Sequence, residues 1–171
     1  MSNIYITHCP HDYEFNHQLT MQAGGGAWRT DWLYYMNHPI ISWIEEEIPI
    51  AVCQFVGSNT SILQSMPPAT SPYKMISGGG RGGFNYMNFK VVSAWGMVYN
   101  NGEGLENHNH FPYTLSFIYM INSSLTPLMI DGLTIPTEEK TLVIFPSHLN
   151  HFITCNSHNR EVIAGNILYH D

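Results

Sequence analysis

Charge is scarce in this chain. Only 11% of its 171 residues are charged, six Lys and Arg against thirteen Asp and Glu, for a net charge of -7. So few cations on an acidic chain argue against a phosphate backbone as partner, and no nucleic acid is expected. Cysteine is scarcer still. Cys9, Cys53 and Cys155 are an odd number at wide spacing, which is neither a disulfide framework nor a zinc ribbon. They read as free thiols in a reducing compartment. No uninterrupted apolar run approaches the roughly 18–20 residues of a membrane-spanning helix. The opening stretch MSNIYITHCPHDYEF lacks a basic start followed by an apolar segment, so no secretory signal is expected. The expected location is the cytoplasm, with no membrane partner.

What the chain does carry is apolar and aromatic. Hydrophobic residues make up 44% and aromatics 13%, which excludes a disordered chain. The length suits one domain, residues 1–171, with a sizeable core. Ten histidines are the unusual count.

Texture divides the chain. Residues 1–60 read as mainly helical. His11 to Gln22 fits a short helix stopped by Gly24-Gly25-Gly26. Pro39 suits a first helical turn. Ile41, Ile44, Ile48, Ala51, Val52 and Phe55 recur at helical spacing, with Pro49 expected to kink or divide the helix. Ile50 to Val56 is also readable as a strand. Residues 57–83 are loop-rich and end in a glycine run around Arg81, which reads as a surface loop or a lid whose Arg81 faces an anionic group. No Gly-Lys-Ser/Thr follows that run, so it is no phosphate loop.

From residue 88 the texture is β. Phe89 to Tyr99 alternates, with Val91, Ser93, Trp95, Met97 and Tyr99 expected on one face. Tyr113–Ile121, Leu128–Ile130, Leu142–Phe145, His151–Cys155 and Glu161–Tyr169 follow, with a turn at Asp131-Gly132. Short strands at such spacing predict a sandwich or barrel, most economically a jelly roll, with residues 88–171 as its core and the N-terminal helices packed against the sheet.

Two histidine segments carry the chemical signal. In an extended chain residues i and i+2 share a face, so His108 and His110 aim two imidazoles at one point. Phe145-Pro-Ser-His148-Leu-Asn-His151 supplies a third, from His151 or else His148. Three such nitrogens cover one face of an octahedral ion and leave three positions open, as at non-haem iron centres. The remaining histidines, His17 and His38 among them, read as surface residues. Arg160 stands nine residues after His151, at the start of a core strand. A buried guanidinium without a partner is costly, and its planar fork suits a carboxylate.

Taken in order, these pieces resemble a family. His108-Asn-His110-Phe-Pro, Ser116-Phe-Ile-Tyr119, Phe145-Pro-Ser147 to His151, and Arg160-Glu-Val-Ile-Ala-Gly-Asn166 resemble the 2-oxoglutarate- and Fe(II)-dependent oxygenases. The likeness is to a prolyl-hydroxylase-like branch found in phages and marine bacteria. It covers residues 90–169 and implies a double-stranded β-helix, the mainly β fold already expected. It implies Fe(II) on His108 and His151, and the distal carboxylate of 2-oxoglutarate on Arg160. Tyr99 matches a co-substrate-contacting tyrosine, and Asn166 and Tyr119 would line the pocket. One departure is plain: the family places Asp or Glu where this chain has His110. The third ligand is then His110 or, two residues before His108, Glu106. Asn109, Asn150 or Tyr113 are candidates to fix the imidazoles. The implied location for a phage-encoded chain is the host cytoplasm.

The reading that follows is an iron oxygenase with His108, His110 and His151 as metal ligands and catalytic centre. Its substrate is a peptide or small organic molecule, with a homodimer left open. A cupin-type three-histidine enzyme without 2-oxoglutarate is the second reading, weakened because no Glu follows His-x-His within Phe111-Pro-Tyr-Thr-Leu-Ser116. A non-enzymatic jelly roll, structural or carbohydrate-binding, is the third.

Overall fold

The structure is a computed structural model, and it describes residues 3–58, 88–154 and 158–170. Arg81 and its glycine run, and Cys155, lie outside the described residues.

The β half follows the alternation closely. β4 (Phe89–Tyr99), β6 (Leu115–Met120), β7 (Leu128–Ile130), β9 (Thr141–Pro146), β10 (His151–Ile153) and β11 (Arg160–Tyr169) all form within a residue or two of expectation. Asp131 (φ 49°) and Gly132 (φ 78°) turn β7 into β8 (Leu133–Ile135). Two positive φ values suit the tight hairpin that Asp-Gly favours. β5 (Leu105–His108) completes the second half.

The N-terminal half departs from expectation. It holds β1 (Tyr5–His8), β2 (Met21–Gln22), β3 (Trp28–Arg29) and one helix, α1 (Pro39–Ser58). His11 to Gln22 is irregular and runs into β2 rather than forming a helix. Its aromatic residues are used otherwise: Phe15 stacks on His38 at 5.0 Å and meets Tyr35 and Tyr119 edge-on or tilted. Tertiary packing outweighs the weak local pattern there. Pro49 lies inside α1 without dividing it, and Ile50 to Val56 is helical.

Two antiparallel sheets result. Seven strands run in the order β1-β9-β6-β11-β4-β3-β2, and four in the order β5-β10-β7-β8. The strands are mostly antiparallel neighbours distant in sequence, which is the jelly-roll arrangement. The sheets do not close as a barrel. One face of the large sheet buries against α1 through Phe89, Val91, Ala94, Leu115, Phe117, Ile163 and Ile167, with Ile40, Ile44 and Ile48 opposite. The other faces the small sheet through Trp95, Met97, Tyr99, Ile118, Val162 and Ala164, with Leu128, Ile130 and Ile153 across.

A bulge corrects the expected face of β4. Asn166 pairs with Ser93, but Ile167 pairs with Val91. Two residues of β4 thus oppose one of β11, and the extra residue reverses the alternation. Val91 turns toward α1, while Trp95, Met97 and Tyr99 face the inter-sheet space. The bulge lies beside Asn166, where the candidate site begins.

Candidate metal centre

β10 makes the site. It pairs with β5 so that His151 stands opposite His108, and with β7 so that His151 also stands beside Ile130. His110 follows β5 and donates its backbone N–H to Ser147 O at 2.8 Å, just after β9. One ring nitrogen from each of His108, His110 and His151 lies within 4.8 Å of the other two. Glu106 and His148 are not part of this group.

Hydrogen bonding decides which nitrogens are free. His108 Nδ1 lies 2.8 Å from Glu106 O. A carbonyl only accepts, so Nδ1 is the donor, and in the metal-ligating neutral ring Nε2 is the bare nitrogen. Asn166 donates from Nδ2 to Ser93 Oγ at 3.0 Å and presents Oδ1 to His110 Nδ1 at 2.6 Å. His110 Nδ1 is thereby the donor and its Nε2 is bare as well. The two bare Nε2 atoms stand 3.1 Å apart. Two lone pairs facing at that distance repel unless a cation lies between or beside them. His151 Nδ1 points to Leu149 O at 3.5 Å, the same polarity in a longer contact. Burial lowers His110 to about 4 and His151 to about 3, each helped by its neighbouring imidazoles. Both rings are neutral at pH 7, as a metal ligand must be. A convergent, all-nitrogen set of this kind fits a divalent transition metal.

The supporting shell differs from the expected one. Asn109 and Tyr113 do not bond the rings; Asn109 Nδ2 donates to Asn150 Oδ1 at 3.1 Å. The rings are held instead by two backbone carbonyls and Asn166. Ser116 Oγ reaches both Asn166 Oδ1 (3.4 Å) and Ser147 Oγ (2.7 Å). Trp95 stacks on His110 with ring centroids 5.7 Å apart and planes 18° off parallel. Trp95 carried no sequence signal for this beyond its place on an alternating strand.

Two cavities meet the histidines. An inner one of about 30 Å³ lies between the sheets and reaches from the three rings to Tyr99, past Met97, Phe145 and Val162. That volume holds a water or two. An outer one of about 790 Å³ is bordered by His108, His110, Asn166, Trp32, Arg29 and Glu106, among others.

Arg160 is fully buried at the start of β11, paired in register with Tyr99. Its Nη2 donates to Thr126 O, while Nε and Nη1 have no partner among the described residues. It is therefore no solvated strand end. Burial lowers its pKa to about 10, against the opposing influence of Tyr99, so it stays cationic at neutral pH. Two orphaned N–H edges on a buried cation fit an anionic oxygen pair.

Tyr119 is a correction. It does not line the site but faces α1, 6.2 Å from the Trp43 ring and 5.7 Å from Phe15. Ser116 and Tyr119 are three apart on β6, and an odd spacing on a strand places them on opposite faces. His17 is a second correction. Its side chain is only 5% exposed, packed against Tyr35. Cys9 is buried and Cys53 exposed, both as free thiols. No helix among the described residues is long and apolar enough to cross a membrane.

No family model matches the sequence, and no curated protein matches it either. Solved structures do. A prolyl-4-hydroxylase from Pseudomonas putida superposes with a TM-score of 0.54 over 90% of this chain and 79% of its own, at 13% identity. A cupin superfamily protein from Desulfitobacterium hafniense matches 47% of this chain and 69% of its own (TM-score 0.39, 14% identity). The non-haem alpha-ketoglutarate-dependent epimerase SnoN of nogalamycin biosynthesis matches 49% of each chain (TM-score 0.43, 10% identity). The chain is similar to the hydroxylase in fold. At this identity the likeness is one of architecture, and chemistry has to be read from the site.

Proposed function

We propose that this protein is a non-haem iron oxygenase that uses 2-oxoglutarate as co-substrate and acts on a small molecule or peptide. The observation that carries the reading is the pair of bare Nε2 atoms of His108 and His110, 3.1 Å apart, with a third ring, His151, in the same group. In this reading the three rings hold Fe(II). Bound iron with 2-oxoglutarate supplies dioxygen activation, coupled to loss of carbon dioxide and oxidation of a C–H bond.

The chain's own residues then have separable tasks. Asn166 and the Glu106 carbonyl fix the tautomers of His110 and His108. Arg160 receives the distal carboxylate on Nε and Nη1, the two N–H edges it has to spare. Tyr99, fully buried and in register with Arg160, lines the inner cavity together with the three rings. Trp95, Met97 and Phe145 give the inner space an apolar lining, which strengthens each charged contact made there. A five-carbon diacid exceeds the inner cavity of about 30 Å³. Its entry therefore requires the lining side chains to part.

That small volume favours one second reading: a three-histidine metalloenzyme of cupin type, without 2-oxoglutarate, whose chemistry uses the outer cavity alone. One experiment separates the two. Fe(II) is added anaerobically to the purified protein, its retention is measured, and 2-oxoglutarate is titrated in. A visible metal-to-ligand charge-transfer band supports the oxygenase. Retained iron without a band supports the cupin-type reading. Failure to retain any metal removes both.

A further inference from the structure

Beside the histidines the inner face of the large sheet turns from apolar to polar along a single row. Trp95 on β4 stands opposite Ala164 on β11, Ala164 opposite Ile118 on β6, and Ile118 opposite Val143 on β9. That row is buried and apolar. Two residues along, the same strands carry Ser93 opposite Asn166, and Asn166 opposite Ser116. Ser147, just after β9, extends the polar row. All four of its members are buried. Polar groups placed in such a face cost free energy unless each is bonded. Here each is bonded, and the bonds converge on His110.

The Asn166 amide is gripped at both ends. Nδ2 donates to Ser93 Oγ at 3.0 Å. Oδ1 takes the His110 Nδ1 proton at 2.6 Å. Ser116 Oγ lies 3.4 Å from the same Oδ1 and 2.7 Å from Ser147 Oγ. With Ser147 as its donor, Ser116 gives its own proton to Oδ1. Ser147 also accepts the His110 backbone N–H on its carbonyl, so one row holds both the ring and the backbone of this histidine. Turned end for end, the amide would bring Nδ2 against His110 Nδ1 as a donor. The ring would then carry its proton on Nε2, and that nitrogen would have no lone pair for a metal. The Ser93 bond is the shorter of the two serine contacts and the one made to the nitrogen end, so it carries most of the restraint against that turn.

We propose that Ser93 is a positioning residue of the metal centre: by accepting from Asn166 Nδ2 it keeps Oδ1 on His110, and so keeps His110 protonated on Nδ1 with Nε2 bare. Ser93 bonds no ring itself and acts through Asn166. The inference deepens the oxygenase reading and rests on it for the reaction, while the state of the ring is a property of the chain without metal. Ser93 also borders the outer cavity, so a slightly larger side chain has room there.

The test compares the full chain with Ser93→Val and Ser93→Thr, which share a shape and differ in the hydroxyl. Long-range proton–nitrogen NMR of the metal-free proteins at neutral pH reads the His110 tautomer, assigned against a His110→Gln spectrum. Co(II) titration and a melting curve follow on the same samples. The parent and Ser93→Thr are expected to show His110 protonated on Nδ1 alone. Ser93→Val should show both tautomers and bind Co(II) about three- to tenfold more weakly, a smaller loss than for a group bonded directly to a ligand. A merely structural hydroxyl would move the melting temperature and leave the tautomer alone. Three outcomes overturn the proposal: His110 protonated on Nε2 in the parent, a tautomer that Ser93→Val leaves unchanged, or the same change in Ser93→Thr as in Ser93→Val. A parent that ignores Co(II) sinks the oxygenase reading and leaves the tautomer result standing. Co(II) held equally by all three proteins, with one tautomer throughout, does the opposite.

Discussion

Asn166 Oδ1 lies 2.6 Å from His110 Nδ1, and this contact determines which nitrogen of His110 is free. Asn166 is 6% exposed, so the contact is made away from water. Asn166→Ala leaves the His110 N–H without its acceptor. Metal affinity should fall ten- to a hundredfold, the usual cost of losing a ligand's hydrogen-bonded support, and stability by about 1–3 kcal/mol. Co(II) titration and a thermal melt check both. Unchanged affinity would show that Asn166 does not set the ring.

Metal should stabilise the protein, because the three bare nitrogens repel without it. Divalent ion at a hundred times its dissociation constant adds about 2.7 kcal/mol. His151→Ala should abolish that gain. Melting curves with and without Fe(II), Co(II) or Zn(II) measure it, and an equal rise in the variant would place the metal elsewhere.

Arg160 separates stability from function. Among the described residues its buried guanidinium has two unpartnered nitrogens, and an apolar residue of similar size often replaces such a charge at no cost. Arg160→Met should therefore melt at or above the parent temperature and retain iron. It should need at least tenfold more 2-oxoglutarate to develop the visible band. Loss of iron together with the co-substrate would contradict the assigned role.

Gly96 and His17 are locked together. A Cβ at Gly96 would sit 2.1 Å from His17 Nδ1 and 2.9 Å from the Tyr35 ring. Gly96→Ala should cost about 1–3 kcal/mol by overpacking. In the His17→Ala background the same change should cost much less. A double-mutant cycle by urea unfolding measures the coupling; additive costs would disprove the contact.

His17 also sets a pH dependence. Burial lowers its pKa from 6.5 to about 4, even with a Glu161 carboxylate oxygen 3.7 Å away. A group depressed in the folded state takes up protons more readily when unfolded. Its contribution is thus complete above pH 6.5 and is lost as pH falls toward 4, at up to about 1.4 kcal/mol per pH unit. His110 and His151 add to the same acid loss in metal-free protein. His17→Gln should make the stability profile shallower between pH 6.5 and 4. An unchanged slope, followed by urea unfolding across that range, would assign the acid loss to the other rings.

Much of this was legible along the chain, wherever the information is local. Strand alternation placed β4, β6, β9 and β11, because a period of two needs only neighbouring residues. His108 and His110 share a target for the same reason. The position of Arg160, nine residues beyond His151, was likewise visible. Tertiary structure alone decided the rest. Pairing of β10 with β5 set His151 opposite His108 and left His148 out. The bulge opposite Asn166 and Ile167 turned Val91 away from the site and Trp95 into it. Asn166 met His110 across 56 positions, and Tyr119 fell on the far side of its sheet. Glu106 gave its carbonyl, not its carboxylate, to the histidines. Contacts of this kind depend on how distant strands register and on which lone pairs remain once the backbone has chosen its partners, and no pattern within a short stretch of residues encodes that choice.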